Sequence, residues 1–410
     1  MAHLSDSSAK TEEETVIINR FQNYLRINTV QPTPDYIAAA RFIISEAKSI
    51  SLETQPIELV IGKPIVLLKW IGSDPYLPAI LLNSHVDVVA FEEDKWDHPP
   101  LGAEIDEQGR IYARGTQDMK SVGMQYLEAI RKLKASGFEP VRSVYVTFVP
   151  DEEIGGTDGV GKFVESDTFK SLNIAIVLDE GLPSPTESYK VFKGERIPWW
   201  IQIKAVGQPG HGSKLYDDSG MENLTKSIDS VMRFRASQFD QIKAGLKAEG
   251  MSSLSTWFSS KLALLLLMYS SLSFFFFSVG GFVMNLQPSE AEAGCDMRVP
   301  PVVDSEALEK RLVEEWAPVS RNMSFDLWRF NKVIEEKHLV TAKDDSNPWL
   351  ELLGNAVKEA GGKTTDPEIF PASTESRYFL RAGLPAIGFS PIYQTPRVCF
   401  MITTRYLSDL

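Results

Sequence analysis

Apolar residues recur at helical spacing over Glu13–Ile27, where Val16, Ile17, Phe21, Tyr24 and Leu25 fall on one side. A second helix is predicted over Tyr36–Ser49, entered after Pro34, and a third over Met119–Ala135, closed by Gly137. Between them stand short apolar runs of strand length: Ile65–Trp70, Ala79–Asn83, Arg142–Pro150 and Ile174–Leu178. Strands alternating with helices predict an α/β domain around a mainly parallel, buried sheet. Near Tyr189 the pattern changes. Pro198–Val206 alternates as a half-exposed strand should, Glu222–Phe239 is amphipathic, and strands at Ala291–Val299 and Met323–Phe330 flank a helix at Ser305–Ala317. After Glu335 the α/β character returns, with helices at Trp349–Ala360 and Glu375–Ala382, a strand at Ile369 and another at Pro385–Phe389. The expected organisation is one α/β domain in two parts, 1–188 and 332–410, interrupted by a smaller α+β domain at 189–331.

One stretch breaks the pattern. Leu262–Ser289 carries no charged residue, and its centre, Leu264–Leu267 and Phe274–Phe277, is of low complexity. The segment 262–282 would make a helix of about 31 Å, enough to span a bilayer. Three readings compete: a membrane-spanning helix, a buried helix or strand pair, and sequence that is not native coding. The charged flanks read as parts of one soluble domain, which makes a membrane span the least favoured. Four Phe codons are an unbroken run of pyrimidines, and Ser278 can supply the AG that ends an intron. Translated intron over about Leu262–Ser278 is therefore the favoured expectation.

Composition narrows the function classes. Lys and Arg number 42 against 55 Asp and Glu, a formal net charge of −13. Such a surface repels phosphate backbones and anionic lipid, so nucleic acid is excluded as the main partner and a membrane is not expected. Two cysteines, Cys295 and Cys399, rule out a disulfide scaffold and fit a reducing compartment. Met1–Thr15 is polar, without the apolar run of a secretory signal, and a cytoplasmic location is expected.

The chemistry collects at strand ends. In Asn83-Ser84-His85-Val86-Asp87, residues His85 and Asp87 share a strand face, and an Asp beside an imidazole can orient a ring that binds a metal. Arg114-Gly115-Thr116-Gln117-Asp118-Met119-Lys120 is a turn into a helix; Asp118 there either caps the helix or holds a metal. Pro150-Asp151-Glu152-Glu153-Ile154-Gly155-Gly156 puts three adjacent carboxylates after a strand, where a cation offsets their repulsion and one of them can serve as general base. Asp179-Glu180-Gly181 ends the next strand at the same edge. Oxygen-rich ligation with a His suits a two-zinc hydrolytic site with a shared Asp and a bridging water.

The order H-x-D, R-G-x-x-D-M-K, D-E-E-x-G-G, D-E-G resembles the zinc-dependent amidohydrolases and exopeptidases, a family that holds acetylornithine deacetylase and glutamate carboxypeptidase. Pro198-Trp199-Trp200 and Gly210-His211-Gly212-Ser213 are most similar to its aminoacylase branch, which cleaves N-acyl-L-amino acids to a carboxylate and an L-amino acid. The resemblance implies a zinc-exopeptidase-like catalytic domain with a lid and dimerisation insert, two zinc ions per subunit and a homodimer. It implies that His85 and Glu180 hold one zinc, that Asp118 bridges both and that Glu153 binds the second. Asp87 would orient His85, Glu152 would be the general base, and His211 would reach across the dimer to polarise the scissile carbonyl. Asn285, in Asn285-Leu286-Gln287-Pro288, would contact substrate, and Arg377 would grip its carboxylate. Members that act as dipeptidases or acetylornithine-type deacetylases are the alternative on the same scaffold.

The chain departs from that family at its end. The family's last zinc ligand is a His soon after F-S-P-x-x-x-T-P. Here Phe389-Ser390-Pro391 and Thr395-Pro396 are kept, but the histidines are His3, His85, His98, His211 and His338, none after Pro396. Read two bases later, codons for Cys399–Arg405 permit Leu-His-Asp-His-Asn-Glu, so the tail reads as the family motif out of frame. The second part of the domain is thus expected to be truncated at Leu410, the second zinc site weak and this exact chain impaired, which leaves a non-catalytic isoform as a further alternative.

Overall fold

The computed structural model describes residues 12–214, 216–248, 271–279, 285–301, 303–329, 340–344, 347–395 and 404–405. In chain order its main elements begin with α1 (Glu12–Leu25), α2 (Tyr36–Ser49), β1 (Glu53–Ile57), β2 (Ile65–Trp70) and β3 (Ala79–His85). Then come α3 (Lys120–Ala135), β4 (Val144–Val149), β5 (Ile174–Asp179), β6 (Val191–Glu195), β7 (Ile197–Val206) and α4 (Gly220–Ala248). The remainder are β8 (Ser271–Val279), β9 (Glu290–Val299), α5 (Ser305–Arg311), β10 (Met323–Arg329), α6 (Trp349–Glu359), α7 (Ser376–Arg381) and β11 (Ala386–Phe389). The chain divides into two compact units, one of 1–193, 341–367 and 374–410, the other of 194–340 and 368–373.

The larger unit is an α/β structure on a mixed sheet in the order β1-β2-β4-β3-β5-β11-β6. The central strands β4, β3, β5 and β11 run parallel, as the alternation of strands and helices predicts. The flanks are antiparallel: β1 with β2, β2 with β4, and β6 with β11. The link between β1 and β2 is too short for the crossover that a parallel pair needs. β1 has no apolar run and contains Pro56, a residue a sheet tolerates at its edge, where β1 lies.

Both faces of this sheet are covered. On one, Ile17, Phe21 and Tyr24 of α1, Ala39 and Ile43 of α2 and Val122, Leu127 and Ile130 of α3 pack with Val66, Leu68, Val146 and Phe148. On the other, Phe163, Phe169 and the α7 residues Tyr378 and Phe379 meet Ile65, Leu67, Leu81 and Val149. Asp35 caps α2 by accepting the Ala38 N–H at 2.8 Å. Gly123 lets α3 lie against β3, since a Cβ there would stand 2.6 Å from Phe148 and 2.7 Å from Ser84 Oγ.

The smaller unit is a four-stranded antiparallel sheet, β8-β9-β7-β10. Trp199, Ile201, Ile203 and Ala205 of β7 and Ala291, Ala293 and Met297 of β9 face a core closed by Leu224 and Val231 of α4 and Leu308 of α5. α5 widens into a π turn over Leu312–Trp316, which completes the predicted Ser305–Ala317 helix. Within the anomalous segment, 271–279 is the edge strand β8, so a single helix over 262–282 is excluded; 262–270 and 280–282 lie outside the described residues. Among the described residues no helix is long and apolar enough to cross a membrane.

Candidate metal centre

The C-terminal ends of three parallel strands deliver the site. β3 ends at His85, β5 ends at Asp179 before Glu180, and β4 ends at Val149 before the carboxylate turn. In that turn Asp151 has φ 60°, Glu152–Ile154 form one 3-10 turn, and Gly155 and Gly156 follow at φ 111° and 64°. Two successive left-handed positions favour glycine and bring the chain back over the sheet edge.

His85 is buried and fully engaged. Its Nδ1 lies 2.9 Å from the Asp87 main-chain carbonyl. A carbonyl only accepts, so Nδ1 carries the hydrogen and Nε2 faces the carboxylates. Nε2 is 3.0 Å from Asp118 Oδ1 and 3.2 Å from Glu180 Oε2. Burial disfavours the imidazolium, but these carboxylates outweigh it and hold His85 well above its ordinary value. The Asp87 carboxylate stands farther off, 3.7 Å from Nδ1. It accepts the backbone N–H groups of Glu152 and Glu153, each at 3.1 Å, and Gln31 Nε2 at 2.8 Å. Asp87 thus meets the ring through its carbonyl and pins the carboxylate turn through its side chain.

Among the described residues, two groups of donors each lie within 4.8 Å: His85 with Glu152 and Glu180, and His85 with Asp118 and Glu153. Burial, then mutual repulsion, pushes Glu153 and Glu180 well above the usual carboxylate range and Glu152 up to about 8. Carboxylates and one imidazole so arranged are oxygen-rich donors for divalent cations, and cations would relieve the repulsion. The donor set fits a metal centre with His85 at its middle.

The other sequence-predicted residues are placed as follows. Arg377 is the second residue of α7 and is buried, with Nη2 donating to the Gly155 carbonyl at 2.7 Å and Nη1 to the Thr374 carbonyl. His211 and Asn285 belong to the smaller unit. There Gly210–His211 pairs with Leu286–Gln287, and the Asn285 carbonyl accepts the Gly212 N–H at 2.7 Å, so the two candidates are neighbours. The His211 ring is exposed, its Nδ1 2.8 Å from Ser213 Oγ. The tail after Pro396, which the sequence reading expects to be out of frame, lies outside the described residues apart from Thr404–Arg405, which pair with Ile111 and Arg110.

Sequence reasoning missed the polar layer beneath the centre. Asn83 donates to Asp179 Oδ1 at 3.0 Å and to Glu375 Oε2 at 2.9 Å, and accepts from Thr147 Oγ1 at 2.7 Å. It also missed Lys120, whose buried Nζ donates to the Ile27 carbonyl at 2.9 Å and which burial lowers to about 7. Asn83 was findable, because it precedes His85 by two positions on one strand; Glu375, distant in sequence, was not.

The profile of peptidase family M20/M25/M40 matches residues 81–396. The chain is 41% identical over 387 residues to aminoacylase-1 of Mus musculus, covering 94% of this chain and 89% of that one. It is 40% identical over 387 residues to aminoacylase-1 of Dictyostelium discoideum, covering 94% and 91%. An M20 family metallo-carboxypeptidase from Sulfolobus solfataricus shares the fold, with a TM-score of 0.67 at 19% identity over 91% of this chain and 90% of that one.

Proposed function

The chain belongs to peptidase family M20/M25/M40, and on that premise we propose that it is a metal-dependent hydrolase of N-acyl-L-amino acids. The observation that carries the chemistry is the buried His85 ring, which forms one donor group with Glu152 and Glu180 and another with Asp118 and Glu153, each within 4.8 Å. Identity to aminoacylases over nearly the whole chain carries the substrate class. We assign zinc as the metal, which His85, Asp118, Glu153 and Glu180 would hold, Asp118 serving both ions. When bound, the ions would supply Lewis acidity toward water and the amide carbonyl. Glu152 takes the water's proton as the C–O bond forms and returns it to the amine nitrogen as the C–N bond breaks. Asp87 holds the turn that aims Glu152. His211, Asn285 and Arg377 are the proposed contacts to substrate, with His211 supplied from the second subunit of a homodimer. The location is cytoplasmic.

Purified full-length chain loaded with zinc is tested on N-acetylmethionine, N-acetylornithine and a dipeptide. Preferential release of methionine supports the reading; turnover of the dipeptide alone sinks it in favour of a peptidase. Glu152→Gln separates base from ligand: as base, its loss lowers the residual rate by about 10²–10⁴-fold with zinc content unchanged.

A second reading rests on the absence of any His after Pro396. This chain keeps the zinc held by His85 and Glu180, binds the second weakly and turns over slowly. Zinc analysis after dialysis is expected to find one tightly held ion per chain, and two would refute it.

A further inference from the structure

Asn83 is fully buried in β3 and has no part in the proposed chemistry, yet its side chain joins the elements that carry it. Thr147 is its parallel-strand neighbour on β4, two residues before Val149 and the Glu152–Glu153 turn. Asp179 ends β5 immediately before Glu180. Glu375 precedes α7, two residues before Arg377, and its Oε1 lies 3.0 Å from where a Cβ on Gly156 would stand. Ser376 Oγ completes the cluster by donating to Asp179 Oδ2 at 2.8 Å. Thr147, Asp179, Glu375 and Ser376 are all buried.

An amide is the side chain these partners need. It offers two donors for two buried carboxyl groups and an acceptor for a hydroxyl. Burying such carboxyl groups without donors is costly. An aspartate in the same volume would place a third carboxyl group against the other two.

We propose that Asn83 is a positioning residue: its amide ties β3, β4, β5 and α7 together one layer below the metal centre and so sets the spacing of His85, Glu152–Glu153 and Glu180. This rests on reading those residues as the metal-holding set. The clamp holds His85 Nε2 and Glu180 at their 3.2 Å separation, and losing it lowers affinity for the first zinc ion ahead of any loss of folding.

The test measures zinc affinity by chelator competition on the full chain, beside near-UV circular dichroism and thermal melting. Asn83→Ala is expected to weaken the first zinc about 10–100-fold in a folded protein, the range typical of partners that orient metal ligands. Asn83→Asp is expected to weaken it further. Adding Glu375→Gln to Asn83→Asp is expected to recover part of the loss, because the new amide donates to the carboxylate introduced at position 83; a purely volumetric role predicts no such rescue. Folded Asn83→Ala with wild-type zinc affinity overturns the proposal. If Asn83→Ala does not fold, Thr147→Val and Ser376→Ala cut the network at its ends, and unchanged affinity in both overturns it equally. The wild-type rate on N-acetylmethionine is measured alongside. A chain that holds zinc but leaves that substrate intact sinks the substrate reading and leaves the clamp standing. A wild-type chain that holds no zinc sinks the metal reading, and the clamp with it, before any variant is read.

Discussion

In the larger unit β2 and β3 are buried along most of their length, whereas β7 and β9 of the smaller unit alternate between buried and more exposed positions. The difference follows from covering. Among the described residues, helices and loops pack on both faces of the first sheet, and on one face of the second. A polar side chain on β7 or β9 therefore reaches solvent and finds a surface partner, as Lys204 does with Glu290 at 2.6 Å. Asn83, Thr147 and Asp179 cannot reach solvent and must satisfy one another. In a doubly covered sheet a buried polar residue is costly, and Asn83, Thr147 and Asp179 offset that cost by bonding one another beneath the metal centre. In a singly covered sheet a polar residue marks only the outer face.

His85→Ala is the most severe test of that contrast. It removes the donor common to both groups, and zinc retained after dialysis is expected to fall more than the roughly 10–100-fold typical of an outer partner. Retention at the wild-type level would break the assignment. In the smaller unit the matching severe change is apolar. Trp199→Ala empties a site that is 1% exposed, and denaturant unfolding should show a loss of about 3–5 kcal/mol with zinc content intact. Lys204→Ala on the outer face should cost about 1 kcal/mol or less in the same measurement, since both partners of its Glu290 pair are partly exposed. A larger loss would show that the outer face is covered.

The smallest effect is pH-dependent and lies in the short hairpin of 104–112. Loss of hydration alone would raise the Asp106 carboxyl, but the Arg110 N–H, the Arg110 guanidinium and the Tyr112 hydroxyl overrule it and hold it down to about 2. A depressed folded value means that the stabilisation is fully present above the ordinary Asp value of 3.8 and is lost as pH falls through about 2. Amide exchange at Arg110, whose N–H donates to Asp106 at 2.8 Å, should accelerate over that window in the wild type. In Asp106→Asn the acceleration should be absent.

The α/β character, most element positions and the residues from His85 to Glu180 were legible in the sequence, because apolar periodicity and the placing of carboxylates after strands are local signals. β2 and α2 were read to the residue. β1 was not, since an edge strand needs little apolar surface. The sense of the flanking strands was not legible either, because pairing direction is set between segments. Asp87 shows the limit at the site itself. Its nearness to His85 was written in the spacing, yet its carboxylate binds the Glu152 and Glu153 amides, more than sixty residues away.

By itself, then, the sequence determined which strand ends bear the imidazole and carboxylates, because a strand's period and its terminating residues are properties of a few neighbours. Only the tertiary structure decided that His85 meets two pairs of carboxylates, that Arg377 is buried against Gly155, and that Asn83 bonds both Asp179 and Glu375, the latter 292 positions from it. Those contacts arise when parallel strands and α7 pack together and exclude water, and a buried hydrogen bond is chosen by what packing leaves within reach.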